Sequence, residues 1–285
     1  MCGADRTKQR GVCGADDRVR VAKLMLHQWE EPFISGTRGS GTVFFSGCNL
    51  GCVYCQNHEI RVGGIGDVYD ANSLAHAYLK LQQDGAHNIN LVTAAPYVPQ
   101  VAESLRLAKT QGLMIPVVYN SSGYESVEAI QTLEGLVDIY LPDFKYVTPL
   151  LAEKFSNAPD YATVATLAIQ EMYRQVGGLV LNEDGIATRG LVIRHLILPG
   201  CADDSRKVLD AIVSLLPLST HISLMSQYTP QEHTTEFPLN RRITQREYDR
   251  VISYALSLGL HNILLQERDS AKSVYTPQFT EPIKI

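Results

Sequence analysis

The sequence predicts an α/β fold whose parallel strands form a barrel or an incomplete barrel. Short apolar strands alternate with helical stretches from about residue 70 onward. The strands are almost uninterrupted apolar runs, for example at residues 191–198, and such runs are typical of strands buried on both faces of a parallel sheet. About six or seven strand–helix units in one chain of 285 residues favour a barrel over two separate domains.

Each predicted element rests on its own local signals. The predicted strands cover residues 42–45, 88–92, 114–119, 137–141, 191–198, 221–225 and 262–265. The predicted helices cover residues 72–84, 99–110, 126–133, 149–176, 203–216 and 244–258. Thr244 and Glu247 lie at capping-box spacing at the start of the last helix. Residues 1–40 are predicted to form an irregular N-terminal leader, because their apolar residues fit no single period, and residues 41–285 form the barrel domain.

The composition argues for an ordinary globular protein of the cytoplasm. The chain is 45% hydrophobic and 19% charged, with a net charge of −5, which gives no sign of a nucleic-acid or membrane-surface partner. It contains no apolar run of about 18 residues that would predict a transmembrane helix. The N-terminus lacks the apolar core of a signal peptide. A cytoplasmic location would keep thiols reduced.

Three cysteines lie at C-x3-C-x2-C spacing directly after the first predicted strand. Cys48, Cys52 and Cys55 cannot all be buried as thiolates without a partner, so they predict a metal site or, in an oxidising compartment, disulfides. A closed structural zinc or iron–sulfur site normally takes four protein ligands. Three cysteines can hold three irons of a 4Fe-4S cube and leave the fourth iron open. The alternative is a zinc-stabilised binding protein in which His58 completes the site.

The other cysteines give weaker signals. Cys2 and Cys13 could form half of a second metal site, although only two ligands are visible there. Cys201 follows Pro199-Gly200 and is expected to be a small buried or turn residue.

Polar residues follow several predicted strands, where functional residues of a parallel α/β fold gather. They are Thr93, Asn120, Ser121, Asp143, Lys145, Gln227 and Tyr228. Arg194 lies inside a strand, where an unpaired charge is costly, so it requires either a ligand carboxylate or a structural acid as partner. The neighbouring His195 is expected to be a satisfied core histidine. No glycine-rich dinucleotide fingerprint follows the first strand, and no Walker A motif is present.

The cysteine spacing, with Tyr54 just before the last cysteine, resembles the signature of radical S-adenosylmethionine (SAM) enzymes. The resemblance extends over nearly the whole chain and is closest to homologues of pyruvate formate-lyase activating enzymes. It is carried by the runs at residues 29–32, 39–48, 118–124, 138–145 and 194–200.

The resemblance implies a partial (β/α)6 barrel and an oxidoreductase. Cys48, Cys52 and Cys55 would hold a 4Fe-4S cluster whose open iron binds SAM. Reductive cleavage of SAM would give a 5′-deoxyadenosyl radical that abstracts hydrogen. The substrate would be a glycyl-radical protein or, alternatively, a small molecule or another macromolecule. The sequence contains no ferredoxin-like insert with further cysteines, so an external low-potential donor of the flavodoxin or ferredoxin type is implied.

The resemblance also implies which residues contact SAM. Tyr54 would lie against the adenine, and the remaining contacts would come from Thr93, Asn120, Ser121, Asp143, Lys145, Arg194 and Gln227. One departure stands out. The family often has Gly-Gly-Glu after the second strand, whereas this chain has Thr93-Ala94-Ala95-Pro96 and no carboxylate for the SAM amino group there.

Overall fold

The computed structural model describes residues 4–231, 234–266 and 279. Its strands are β1 (Val19–His27), β2 (Ser40–Phe45), β3 (Asp67–Tyr69), β4 (Ile89–Val92), β5 (Val117–Ser121), β6 (Ile139–Pro142), β7 (Val180–Leu181), β8 (Ala187–Leu196), β9 (His221–Met225) and β10 (Ile263–Leu265). Its α-helices are α1 (Pro32–Ser35), α2 (His58–Arg61), α3 (Ala71–Gln83), α4 (Val98–Thr110), α5 (Val127–Gln131), α6 (Pro149–Ser156), α7 (Tyr161–Val176), α8 (Ala202–Leu215) and α9 (Gln245–Ser257).

The strands form one curved sheet in the order β10-β9-β8-β6-β5-β4-β2-β1-β3, with β7 paired to β8. Neighbours from β2 to β10 along this order are parallel, whereas β1, β3 and β7 pair in the antiparallel sense. The two end strands of the described sheet, β10 and β3, do not pair with each other. The prediction of an α/β, partial (β/α)6 barrel is therefore confirmed.

The region predicted to be an irregular leader contains β1, a nine-residue strand of the main sheet. The register of β1 against β2 shifts between Val21 and Lys23. A bulge adds one residue and reverses which side chains face the core. Val19 and Val21 are odd-numbered and Leu24 and Leu26 are even-numbered, because the alternation of the strand is offset at the bulge. The sequence therefore shows no continuous two-residue alternation of apolar residues. Whether residues 1–40 form a unit of their own stays a prediction.

The single helix predicted at residues 149–176 is two helices, α6 and α7. Asn157 ends α6 in the left-handed region with φ 53°. Asn tolerates that conformation better than most residues, and Pro159 cannot continue a helix. The capping box of Thr244 and Glu247 is present at the start of α9, as predicted.

The short helix α1 packs against the inside of the sheet. Phe33 and Ile34 form a buried cluster with apolar residues of β5, β6 and β8, including Val118, Ile139 and Val192. The turn that precedes α1 therefore places Glu30 and Glu31 near the barrel interior. No helix among the described residues is both long and apolar enough to cross a bilayer.

Candidate active site at the carboxyl ends of the strands

One cavity of about 240 Å³ opens where the parallel strands end. All the residues that the sequence singles out as cluster or SAM ligands line it, namely Cys48, Cys52, Tyr54, Cys55, Thr93, Asn120, Ser121, Asp143, Lys145, Arg194 and Gln227. The structure therefore brings the complete predicted set together, although these residues come from six separate parts of the chain.

Strand register explains this convergence. Val92 pairs with Asn120, Ser121 pairs with Pro142, and Asp143 forms a bridge with Arg194. The ends of adjacent parallel strands thus lie at similar heights, as expected for this class of fold. Asn120 and Ser121 belong to β5 itself, although the sequence predicts that this strand ends at residue 119.

The cysteine loop is held on two sides by backbone hydrogen bonds. The Cys48 N–H donates to the Cys13 carbonyl over 3.0 Å, and the Val53 N–H donates to the Phe155 carbonyl over 2.9 Å. Gly47 has φ +98°, and a Cβ there would lie 2.7 Å from the Cys13 carbonyl oxygen. Only glycine fits this close approach without strain. Cys13 thus supports the loop through its backbone, whereas its predicted companion Cys2 lies outside the described residues.

Each of the three sulfurs has a hydrogen-bond partner suited to a thiolate. The Leu50 N–H donates to Cys48 Sγ over 3.4 Å. Ser156 Oγ lies 3.0 Å from Cys52 Sγ, and the backbone N–H of Asn57 donates to the Cys55 sulfur. Donors aimed at sulfur are found around iron–sulfur clusters, where they orient the ligands and tune their charge. The donor set and its surroundings therefore fit a thiolate-bound cluster.

Burial strongly disfavours free thiolates at this site. Desolvation, together with the neighbouring Cys52, raises the pKa of Cys48 to about 12 and that of Cys55 to about 11. A bound cation reverses this effect, because thiolate ligands are deprotonated when they bind metal.

The zinc alternative lacks its fourth ligand in the structure. His58 is exposed at the start of α2 and is not among the residues that line the cavity. Within the described ranges, no three His, Cys, Asp or Glu side chains are arranged to hold a single metal ion. A cubane differs from a zinc site in this respect, because its cysteines bind separate irons and do not converge on one ion.

Tyr54 lies in an aromatic group beside the cysteines. Its ring meets those of Tyr146 and Tyr228 edge to face, with centroids 6.5 Å and 6.2 Å away. Such contacts fix the ring plane of a buried aromatic residue. Tyr54 is therefore held rigidly in the wall of the cavity.

Thr93 has an unusual backbone conformation for its residue type. Its φ is +61°, and a β-branched residue rarely adopts this region. Its N–H donates to the Asn120 carbonyl over 3.0 Å, which helps to hold the strained turn after β4. Strained residues of this kind cluster at functional sites.

Asp143 and Lys145 form an ion pair of 2.5 Å at the cavity wall. Burial alone would lower the pKa of Lys145, but the surrounding negative groups, chiefly the Asp143 carboxylate, together outweigh this and raise it. The backbone N–H of Lys145 donates to the Tyr161 hydroxyl over 3.0 Å, and this hydrogen bond fixes the turn after β6. Lys145 is therefore a charged, partly buried residue of the site rather than a solvated loop lysine.

Arg194 has structural acids as its partners. Its guanidinium contacts Glu30 at 3.1 Å and Glu31 at 3.4 Å. Asn90 donates to the same Glu30 carboxylate over 3.0 Å and Asn120 over 3.4 Å. Burial raises the pKa of Glu30, while Arg194 opposes the shift. Sequence reasoning misses Glu30 as a cavity residue, and the only local signal is a pair of acids beside apolar residues at 29–34.

Of the remaining predicted residues, Gln227 lies at the cavity and His195 in the core. Gln227 lines the cavity, and its amide donates to Met225 Sδ over 3.7 Å. His195 is buried, and its Nδ1 hydrogen-bonds the Phe144 carbonyl over 2.7 Å, whereas its Nε2 has no partner among the described residues. The prediction of a core histidine is confirmed, but only one of its two ring nitrogens is satisfied. Burial lowers the pKa of His195.

Glu125 is a second buried acid that sequence reasoning misses. Its carboxyl accepts a hydrogen bond from Ser121 Oγ over 3.1 Å, and its Oε1 has no partner among the described residues. Desolvation raises its pKa from 4.5 to about 8. Glu125 therefore holds a proton near neutral pH and positions the cavity residue Ser121.

We expect Glu125 to make the protein less stable as the pH rises. Its pKa is 4.5 before folding and about 8 afterwards, so the native state binds more protons between these values. The free energy of unfolding then falls through this window by at most about 1.4 kcal/mol per pH unit. Glu125→Gln should remove this slope in denaturant titrations from about pH 5 to pH 8. The control Glu128→Gln, at an exposed position, should keep it, and equal slopes in all three proteins would contradict the assignment.

The comparisons with known proteins agree with this geometry. Residues 42–187, about half of the chain, match the radical SAM superfamily domain. The chain therefore belongs to the radical SAM superfamily and is a radical SAM enzyme. Membership implies a 4Fe-4S cluster, SAM and a source of electrons, and it replaces the zinc-protein alternative.

Individual relatives add less detail. The uncharacterized protein MJ0674 of Methanocaldococcus jannaschii is 29% identical over 268 residues, covering 91% of this chain and 73% of the relative. SuiB of Streptococcus suis, solved with the precursor peptide SuiA, has a TM-score of 0.52 at 11% identity over 77% of this chain. Methylornithine synthase (PylB) has a TM-score of 0.48 at 14% identity over 76% of this chain. The chain spans 46% of SuiB and 60% of PylB.

Proposed function

We propose that this protein cleaves SAM reductively at a 4Fe-4S cluster bound by Cys48, Cys52 and Cys55, and that it does so in the cytoplasm. One observation carries the proposal. Three sulfurs, each with a donor suited to a thiolate, share one cavity with every residue that the sequence assigns to SAM.

When bound, the cluster supplies the electron that splits SAM into methionine and a 5′-deoxyadenosyl radical. The chain's own residues bind and orient the reactants and exclude water. Tyr54, held by two neighbouring rings, forms a flat apolar surface for the adenine. Asn120, Ser121 and Gln227 provide hydrogen bonds for the polar groups of SAM.

The charged residues of the cavity suit the two charged groups of a methionine moiety. Lys145 offers an ammonium for the carboxylate, beside its partner Asp143. The carboxylates of Asp143 and Glu30 are acceptors for the amino group, in place of the glutamate that the turn after β4 lacks. Thr93 occupies that turn and contributes through its strained backbone.

The substrate in this proposal is a glycine residue of a partner protein. Its support is the resemblance to pyruvate formate-lyase activating enzymes, carried by runs such as 29–32 and 138–145. The run at 29–32 contains Glu30 and Glu31, and the run at 138–145 contains Asp143 and Lys145, so both reach the site. The electron would come from an external donor of the flavodoxin or ferredoxin type.

The test is anaerobic reconstitution of the full chain with iron and sulfide, followed by reduction in the presence of SAM. We expect the visible absorbance of a 4Fe-4S cluster and formation of 5′-deoxyadenosine. Absence of both would contradict the proposed chemistry.

The substrate is tested separately by incubating the reduced enzyme with proteins that co-purify with it. A glycyl-radical signal in electron paramagnetic resonance (EPR) spectra of the partner would support activation. Formation of deoxyadenosine without a radical on any partner protein would instead favour a small molecule or another macromolecule as the substrate.

A further inference from the structure

A chain of buried hydroxyl groups leads from Tyr54 to the sulfur of Cys52. Ser156 Oγ lies 3.0 Å from Cys52 Sγ and 3.0 Å from the Tyr146 hydroxyl. The Tyr146 and Tyr54 hydroxyls lie 2.5 Å apart. All four side chains are buried, with Ser156 only 1% exposed. These hydrogen bonds are therefore largely shielded from solvent.

The sulfur fixes the direction of every hydrogen bond in this chain. A metal-bound cysteine sulfur carries no proton and can only accept, and each hydroxyl has one hydrogen to donate. The Ser156 hydroxyl must therefore donate to Cys52, which leaves its oxygen free to accept from Tyr146. In the described structure the Tyr146 hydroxyl donates to Tyr54. Hydroxyl hydrogens rotate to suit their partners, so with a metal on Cys52 the Tyr146 hydrogen would turn to Ser156, and Tyr146 would accept from Tyr54. All three hydroxyl dipoles would then point toward one cluster ligand.

We propose that this chain, through Ser156, sets the reduction potential of the cluster. The inference rests on the proposed function, since it assumes that Cys52 is a cluster ligand. Adding an electron increases the negative charge on the sulfurs, and a donated hydrogen bond stabilises that charge. Aligned hydroxyls polarise one another, so Tyr146 and Tyr54 strengthen the donation by Ser156. Ser156 is thus a positioning residue that makes the cluster easier to reduce.

The position of Ser156 supports this assignment. It is the last residue of α6, and its carbonyl accepts from the Gly51 N–H over 3.2 Å. The same residue therefore anchors the cysteine loop through its backbone and contacts the sulfur through its side chain. A substitution at Ser156 that removes only the hydroxyl leaves the backbone anchor in place.

A second buried serine–tyrosine pair provides a matched control. Ser104 Oγ lies 3.3 Å from the Tyr78 hydroxyl between α3 and α4, and Ser104 also donates to the Val101 carbonyl over 2.8 Å. This pair shows how a buried tyrosine is satisfied without a cysteine. Like Ser156→Ala, Ser104→Ala removes a buried serine hydroxyl that hydrogen-bonds a tyrosine, but it does so away from the site.

The experiment measures the midpoint potential of the reconstituted full-length protein by EPR-monitored redox titration, together with iron and sulfide content. Ser156→Ala should shift the midpoint potential to a more negative value. We expect the equilibrium constant for reduction to fall on the order of tenfold, which corresponds to about 59 mV for one electron. Tyr146→Phe should shift it in the same direction by less. Ser156→Thr should restore the wild-type value, and Ser104→Ala should leave it unchanged.

The outcomes separate this inference from the proposed function. An unshifted midpoint in Ser156→Ala with full iron content would overturn the inference alone. If Ser156→Ala fails to fold or to hold iron, Tyr146→Phe decides, and an unshifted midpoint there overturns the inference. An equal shift in Ser104→Ala would also overturn it. A wild-type protein that holds no cluster would overturn the proposed function itself.

Discussion

Replacing Cys52 with alanine is expected to abolish cluster binding and the formation of 5′-deoxyadenosine. The substitution removes one of three thiolates and leaves too few ligands for a stable cube. Changes that only perturb partners of metal ligands already cost 10- to 100-fold in affinity or activity, so losing a ligand should cost on the order of 100-fold or more. The fold should persist, because a point substitution of a small buried residue typically costs about 1 kcal/mol.

Two other cysteines provide matched controls for this measurement. Cys13 accepts a hydrogen bond from the cysteine loop through its backbone carbonyl, and that carbonyl survives in Cys13→Ala. Cys201 lies at the start of α8 and is not among the cavity residues. Both variants should retain the iron content, the visible absorbance and the product yield of wild type. A Cys52→Ala protein with wild-type iron content, or an equal loss in Cys13→Ala, would refute the ligand assignment.

The residues lining the candidate site could be predicted because the fold class determines where strand ends lie. Parallel strands in register bring their carboxyl ends to one edge, so Asn120, Asp143 and Gln227 could be grouped without coordinates. The cysteine spacing is a local pattern and is readable by itself. The cysteine spacing depends only on residues that are close in sequence, and the grouping of strand ends follows from a rule that holds for all parallel α/β folds.

The buried acids Glu30 and Glu125 could not be predicted by the same means. Glu30 contacts Arg194 across 164 positions of sequence, and no periodicity links two such distant residues. The bulge in β1 also hides the strand that leads to Glu30. The sequence requires that Arg194 has a partner, but only the tertiary structure identifies it. Glu125 is missed for a similar reason, because its burial depends on packing rather than on local pattern.

Replacing Arg194 with alanine is expected to destabilise the protein by about 3–5 kcal/mol at neutral pH. The change leaves the carboxylates of Glu30 and Glu31, 7% and 6% exposed, without their shared counter-charge. Removing one partner of a buried ion pair costs far more stability than replacing all of its charged residues with neutral ones. The reason is that the charge left behind stays buried without a counter-charge. The triple variant Arg194→Met, Glu30→Gln, Glu31→Gln should therefore recover much of the loss in denaturant titrations.

The control for Arg194 is an arginine whose ion pair lies at the surface. Arg250 and Asp203 are 53% and 72% exposed, so Arg250→Ala should cost no more than about 1 kcal/mol. The loss in Arg194→Ala should also shrink as the pH falls, because burial raises the pKa of Glu30 and protonation removes its charge. A stability loss no larger than that of Arg250→Ala, combined with weaker SAM binding, would show instead that Arg194 serves SAM rather than the fold. We expect the large loss of stability, because Glu30 and Glu31 already pair with the Arg194 guanidinium in the cavity wall.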